Sequence, residues 1–576
     1  MQHGLAGRRA LKVVLAVAAV CLLPAAAAAA LAAAAPDPHK PPQLSDAALF
    51  QLLYREPNHF LQALGNISDT EGSLTRTFLS PAHRRAAGKL RKWMAAAGMF
   101  TWADQMANVH GVVKGLDADA PAIFIGSHYD TVVDGGKYDG ALGVVAGISA
   151  VKALLLEAAV SNGVVSAAEV ERAVAAAGTS GEGIDLAELL YDQAQAGRLI
   201  ATPVRIIGFA DEEGVRFHST YLGSRALVGT LADVGVLRNI DHSGVSVAEA
   251  LEQAGFDPSP ASLRKMAIPR EKIRAYVEVH MEQGPRLQAA GRALGPVAAI
   301  AGQSRLQAEI VGEQGHAGTV PMSLRKDPMA AAAEIMAGLE RSCNGGNADG
   351  GPPNPDLASD ESLVCTVGSM SIWPNAGNVI PGHLNFTLDI RSRWDANRKQ
   401  IIAQLEQSMQ ALCARRGLSC RLHVKNEAAA VQSDEEVVEH LMEASVQADQ
   451  LVQRLFLQRQ PLSPDPYGQA AQTCAAGAEG AAADTARSSP VLSGCAAAQA
   501  AGGAPPVLVS GAGHDAMVFA EVTKMGMLFV RCKDGISHSP LEYVSPDDVA
   551  AATATLYQYL RKELLARPSP AAAAAA

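Results

Sequence analysis

The sequence predicts a doubly wound α/β domain interrupted by a smaller α+β insert. Three observations carry this. Short apolar runs at 121–126, 204–210 and 526–531 are separated by helical stretches, the pattern of a largely parallel sheet covered on both faces. Residues 300–427 read instead as β-α-β-β-α-β, the split order of a ferredoxin-like unit. Parallel-sheet patterns lie on both sides of that unit, so it interrupts the larger domain.

The elements follow in order. The run at 121–126 is short and apolar, as a buried strand is, and a helix is expected from about 139 to 157. Strands follow at 204–210 and, after the insert, at 526–531. The last helix, 547–565, has Asp547 and Asp548 in its first turn, where the helix dipole favours acids. In the insert, Leu306, Ala308 and Ile310 alternate along a strand at 304–313, and Asp327 opens a helix through residue 339. Strands near 363–372 and 384–390, a helix at 397–415 and a strand at 420–425 complete it.

The length of 576 residues allows two to four domains at ~150 residues each. Arg8, Arg9 and Lys12 precede an apolar run at 13–23 and an alanine-rich stretch to 35, so residues 1–35 read as a secretory signal peptide or other targeting segment. The expected destination is the secretory pathway, at the endoplasmic reticulum lumen; a transit peptide to an organelle and a retained anchor are the alternatives. The first part of the larger domain spans 45–299 with an alanine-rich insertion at 158–200, the insert spans 300–427, and the second part spans 428–566. That second part carries a low-complexity insertion at 461–504, and 567–576 is a tail. Residues 344–360 read as a loop. No further stretch reads as membrane-spanning, so no stable membrane association is expected.

The formal net charge of −10 argues against a dedicated nucleic-acid binder. None of the eight cysteines is spaced C-x-x-C, which excludes a zinc ribbon. Cys21 would leave with the signal, and the other seven are scattered and expected as unpaired thiols.

Chemistry-bearing residues gather after the strands. Ser127-His128-Tyr129-Asp130 and Asp139 follow the first run, Asp211-Glu212-Glu213 the second, His280-Met-Glu-Gln283 a strand at 276–279, and Gly535-Ile-Ser-His538 the run at 526–531. The carboxyl ends of strands in an open α/β sheet are where such folds place ligands. Imidazole with carboxylate suits first-row dications, and the lack of cysteine donors argues against a closed structural zinc. Asp130, two residues beyond His128, can take the other ring N–H and fix its tautomer. Of Glu212 and Glu213, one can serve a metal and the other a proton.

The strings GSHYDTVVDGGKYDGALG, FADEEGVRFHSTYLGSRALVG, VEVHMEQGP, GEQGHAGTVPM and GISHSP resemble the M20 metallopeptidase superfamily. More narrowly, they resemble its amidase branch of allantoate, ureidoglycolate and N-carbamoyl-amino-acid hydrolases, above all the plant-type allantoate-hydrolysing group. The resemblance covers residues 45 to 565 apart from the insertions. It implies a zinc-peptidase-like catalytic domain whose ferredoxin-like insert is a lid that also dimerises. It makes His128, Asp139, Glu213, His280 and His538 ligands of two divalent metal ions, with Asp139 bridging. Manganese is the first expectation, with zinc or cobalt as alternatives. Glu212 becomes the acid/base, with Asp130 beside it in the catalytic set. His316 would reach the partner subunit's site and steady the oxyanion. Gln303, Asn378 and Arg391 would hold the substrate, with Gln283 facing the site and Arg391 on the substrate carboxylate. His514 and Asp515 lie in a family-like string without a defined role.

The implied reaction is hydrolysis of allantoate, a small ureide, to ureidoglycine, ammonia and carbon dioxide. Ureidoglycolate and N-carbamoyl amino acids are alternative substrates. A metal-binding dimer without catalysis is the alternative outside the enzyme class.

Overall fold

The computed structural model describes residues 43–177, 187–231, 235–346, 354–457 and 505–565. Residues 1–35, expected as a targeting segment, the low-complexity insertion at 461–504 and the tail lie outside the described residues. Fifteen strands occur among those described. They are β1 (Phe100–Ala103), β2 (Val109–Val113), β3 (Ala122–His128), β4 (Val204–Phe209), β5 (Ile273–Met281), β6 (Leu294–Ile300), β7 (Gly302–Val311) and β8 (Gly315–His316). There follow β9 (Val364–Trp373), β10 (Val379–Ile380), β11 (His383–Ser392), β12 (Ser419–Ala428), β13 (Val431–Gln432), β14 (Leu508–Ser510) and β15 (Met525–Val530).

The larger sheet runs β1-β2-β4-β3-β5-β15-β6-β13, with β14 also paired to β6. Its centre is parallel: β3 pairs with β4 and β5, and β5 with β15. Antiparallel pairs flank it, so the sheet is mixed rather than largely parallel throughout. The chain adds β4 on one side of β3 and later β5 on the other. The order therefore reverses at β3, and the crevice beyond its carboxyl end is a topological switch point.

The helix Ala141–Ser161 packs on β3 and β5 and is covered by the helix Pro546–Leu560 and the helical stretch 51–65. It is long and apolar enough to cross a membrane by composition, against the expectation that nothing after the N-terminus is, yet it is wholly buried. A helix enclosed on every side needs no polar face. Its two charged side chains are paired: Lys152 with Glu56 at 2.9 Å, and Glu157 with Tyr557 and Arg561, each at 2.8 Å. The alanine-rich stretch 158–200 is tied into this core. Ala158, Ala159 and Val160 end the buried helix, and Leu190, Ala194, Leu199 and Ile200 return to the same cluster.

The insert is a four-stranded antiparallel sheet, β12-β7-β11-β9, with the helices Pro328–Cys343 and Asp395–Arg416 on one face. Its core joins Leu306, Ala308 and Ile310 of β7 to Leu384, Phe386, Leu388 and Ile390 of β11 and to Ile335, Ile401 and Leu405 of the helices. Asp327 caps the first helix, accepting from the backbone N–H of Met329 and Ala330. The expectation of unpaired thiols is corrected here. Cys343 pairs with Cys365 and Cys413 with Cys420, at Cα separations of 6.3 and 6.2 Å. Each bond ties the end of an insert helix to its sheet. Cys532 is free and buried. Within 344–360 the described part includes a short helix, Pro355–Ala358.

Candidate active site

The site is assembled at the carboxyl ends of β3, β4, β5 and β15. His128 is the last residue of β3, and His280 sits near the end of β5. Between β3 and the central helix the chain turns through Asp139 and Gly140. Gly140 has φ 64°, and a Cβ there would stand 2.4 Å from the His128 ring, so only glycine lets the loop approach the imidazole. After β4, Asp130 holds the next segment: its two carboxylate oxygens accept the backbone N–H of Glu212 at 3.1 Å and of Glu213 at 3.2 Å. His538 comes from the loop that follows β15.

Four strand ends thus converge on Asp139. Its Oδ1 lies 3.1 Å from His280 Nε2 and 3.8 Å from His128 Nε2, and its Oδ2 lies 3.2 Å from His538 Nε2. His538 Nε2 is also 3.4 Å from Glu213 Oε1, and Glu212 Oε2 is 3.9 Å from His128 Nε2. The ring tautomers follow from the other nitrogens. His128 Nδ1 faces the Asp130 carbonyl at 3.2 Å and its carboxylate at 3.4 Å; His280 Nδ1 faces the Met281 carbonyl at 2.9 Å. With those nitrogens engaged, both Nε2 atoms turn to the centre of the cluster, 3.4 Å apart. Imidazole nitrogens and buried carboxylate oxygens turned on one point make a donor set that a divalent cation would satisfy. His128, Asp139 and His280 make one candidate donor group and Asp139, Glu213 and His538 another, with Asp139 common to both. The donor set fits first-row dications.

The electrostatics follow from burial and crowding. Burial would raise Asp139, but His280 and His538 hold it well below the usual carboxylate range. Burial pushes the Glu212 carboxyl well up, with Glu213 and Asp515 adding to the rise against His128. Burial and then Asp139 push Glu213 up to about 7.

A cavity of about 1260 Å³ reaches from this cluster to the insert, where Gln303 and Arg391 line it as cross-strand partners on β7 and β11. Arg391 forks onto Asp389 at 2.8 and 2.9 Å and donates to the Gly511 carbonyl at 2.7 Å. Asn378, expected beside them, does not line this cavity. It lies next to the β8–β10 ribbon, its carbonyl accepting from Ala317 N–H, close to His316 at the end of β8. His316 is exposed and likewise off the cavity of its own chain. Gln283, expected to hold substrate, turns its amide to both Asp139 oxygens at 3.3 Å and to Ser537 Oγ at 3.0 Å. It also lines the cavity, as a residue facing the site does.

Sequence reasoning missed Glu542. Its Oε1 accepts the backbone N–H of Tyr138 at 2.9 Å and of Asp139 at 3.0 Å. Only the string His538-Ser-Pro-Leu-Glu542 pointed to it. His514 packs against His280 with ring centroids 4.5 Å apart and meets Ser510 Oγ at 2.9 Å. Burial first, and then the charge of His280, hold it well below the usual imidazole value. Asp515 accepts from Ser224 behind it.

Residues 175–562 match peptidase family M20/M25/M40. The chain is 40% identical over 509 residues to an allantoate deiminase of Arabidopsis thaliana, covering 88% of this chain and 81% of that protein. It is 31% identical over 505 residues to an N-carbamoyl-L-amino-acid amidohydrolase of a Pseudomonas species, covering 88% of this chain and 97% of that protein. Among solved structures it resembles AtUAH in complex with (S)-hydroxyglycine. The TM-score is 0.59 at 26% identity, over 89% of this chain and 99% of that one.

Proposed function

Since the chain belongs to peptidase family M20/M25/M40, we propose that it is a metal-dependent hydrolase of non-peptide C–N bonds that converts allantoate to ureidoglycine, ammonia and carbon dioxide. Four allantoate deiminases are 39–40% identical to it over 87–88% of its length. The observation that carries the chemistry is the pair of donor groups sharing Asp139, with the Glu212 carboxylate beside them on the same cavity.

Enzymes of the family use a dinuclear metal site. In this reading His128, Asp139, Glu213, His280 and His538 hold two divalent ions, manganese first and zinc or cobalt as alternatives. When bound, such a pair activates water and polarises the carbon under attack. Glu212 takes a proton at its Oε2 and returns it to the leaving nitrogen, which departs as ammonia; the carbamate left on the other nitrogen then loses carbon dioxide to give ureidoglycine. Asp130 keeps the Nδ1 proton on His128 and, through the backbone N–H groups of Glu212 and Glu213, fixes both side chains. Arg391 with Gln303 takes the substrate carboxylate at the far wall of the cavity.

His316 and Asn378 lie together, exposed and away from their own cavity. This supports a homodimer in which the insert acts as a lid and these two residues complete the site of the other subunit. The two disulfides of the insert suit an oxidising compartment. They support delivery to the secretory pathway, at the endoplasmic reticulum lumen.

Ammonia release from purified protein tests the reading, with allantoate, ureidoglycolate and N-carbamoyl amino acids each assayed with and without manganese. Turnover of allantoate with the highest kcat/KM is expected. Turnover of an N-carbamoyl amino acid alone would move the chain to the carbamoylase reading, which the 31% identical relative favours.

A further inference from the structure

We propose that the phenol of Tyr221 contacts substrate directly, donating a hydrogen bond to an acceptor oxygen on the ureido arm that is not cleaved. The proposal rests on the allantoate reading, in which one carbon carries a carboxylate and two ureido groups.

Tyr221 precedes the helix Leu222–Val228 with φ 63°, in the left-handed region that a bulky side chain rarely enters. Such a conformation persists only where the surroundings enforce it, and it clusters at ligand sites. Two backbone bonds enforce it here. The Tyr221 N–H donates to the Glu212 carbonyl at 3.3 Å, and the Tyr221 carbonyl accepts from Arg225 N–H at 2.9 Å. The backbone at Tyr221 is therefore fixed relative to the segment that bears Glu212.

Its side chain lines the same cavity as Glu212, Gln303 and Arg391. The hydroxyl lies against Gly513: a Cβ at that position would stand 2.0 Å from Tyr221 Oη, so glycine makes the room the hydroxyl occupies. Among the described residues nothing bonds to that hydroxyl, whereas the phenol of Tyr129 reaches the Ala107 carbonyl at 2.8 Å and that of Tyr276 reaches Glu278 at 3.0 Å. Tyr221 is half-buried on the cavity wall, where a bound ligand can supply the partner that a buried phenol finds in the protein. Glu212, Glu213 and Arg391 line the cavity with it. The donor thus shares one cavity with the group that moves the proton and the group that takes the carboxylate.

The geometry divides the three substituents of the substrate carbon. The scissile ureido group lies at the metal donors and Glu212, the carboxylate lies on Arg391, and the second ureido group falls to Tyr221. An N-carbamoyl amino acid would place an apolar side chain there and leave the phenol unpaired, which tilts selection towards the ureide.

The experiment compares wild type with Tyr221→Phe on allantoate, and on N-carbamoylglycine read as substrate or competitive inhibitor. N-carbamoylglycine has hydrogen in place of the second arm. The expected result is a KM for allantoate raised about fivefold, the loss of one neutral hydrogen bond. The kcat should stay within about twofold and the affinity for N-carbamoylglycine should be unchanged. An unchanged KM for allantoate, or equal loss for both ligands, overturns the proposal. Gly513→Ala, which crowds the hydroxyl, should raise the same KM more in wild type than in Tyr221→Phe, where only the ring edge at 3.1 Å and Met517 at 3.3 Å stand in its way; an equal rise in both would also overturn it. Wild type inactive on allantoate would instead overturn the proposed function, so the two failures are distinguishable.

Discussion

Glu542 Oε1 accepts the backbone N–H of Asp139 at 3.0 Å, from a residue 403 positions later in the chain. The same oxygen accepts Tyr138 N–H, so one buried carboxylate fixes the loop that presents the shared metal donor. Burial and then Asp139 push the Glu542 carboxyl up to about 7.

Glu542→Ala removes the acceptor of two buried amides and frees the Asp139 loop. Metal affinity should fall ~10- to 100-fold, as for other residues that orient metal ligands. Calorimetric titration of metal-stripped protein with manganese checks this, with thermal unfolding to confirm that the variant folds. Equal affinity in variant and wild type would show that the loop holds its shape without Glu542.

Glu212→Gln keeps the size of the side chain and removes its ability to carry the proton. The kcat should drop ~10²- to 10⁴-fold while metal content stays that of wild type. Elemental analysis and steady-state ammonia release give the two readings. Unchanged turnover would remove Glu212 from the mechanism.

Stripping the protein with a chelator should abolish turnover, and manganese should restore it. Free metal at 100 times Kd should add ~2.7 kcal/mol of stability by mass action, visible as a raised Tm. A stripped protein that turns over substrate at the original rate would contradict the metal donors assigned to Asp139 and its four partners.

The disulfides predict a redox-dependent insert. Cys343–Cys365 spans 22 residues and Cys413–Cys420 spans 7, so chain entropy assigns the first ~3 kcal/mol and the second ~2 kcal/mol. Reductant, or Cys343→Ser, should lower the unfolding midpoint, the longer loop having the larger effect. Alkylation of free thiols before and after reduction reads the bonds directly.

Asp360 predicts part of the acid limb of stability. Burial works against its charge, but hydrogen bonds from Ser362, Ser392 and Asn397 outweigh that and hold its carboxyl below the usual carboxylate range. A depressed folded pKa gives stability that is complete above the unfolded value of ~3.9 and is lost as pH falls through the folded value. Asp360→Asn should therefore be less stable than wild type at neutral pH, with a shallower loss below about pH 4. Chemical denaturation at pH 7 and at pH 3.5 measures both, and parallel losses in the two proteins would exclude the effect.

Local pattern made the fold legible. The alternation of Leu306, Ala308 and Ile310 predicted β7, because side chains on a strand repeat every two residues and only one face of this sheet meets the helices. Asp327 announced the helix it caps. The cysteine pairs were not legible, because pairing depends on which helix ends and strands the insert brings within about 6 Å, and no periodicity encodes that.

Strand pattern gathered the His, Asp and Glu clusters, and the family resemblance picked His128, Asp139, Glu213, His280 and His538 out of them. The contacts of Glu542 and Gln283 with Asp139, and the separation of Asn378 from Arg391, could not be read there. Those relations join segments up to four hundred residues apart. Hydrophobic periodicity acts within a turn of helix or a few residues of strand, so the sequence by itself determined the elements and their chemical endowment. Sheet order and the packing of the buried helix Ala141–Ser161 decided which endowments meet, because only the closed core sets distances between residues remote in the chain.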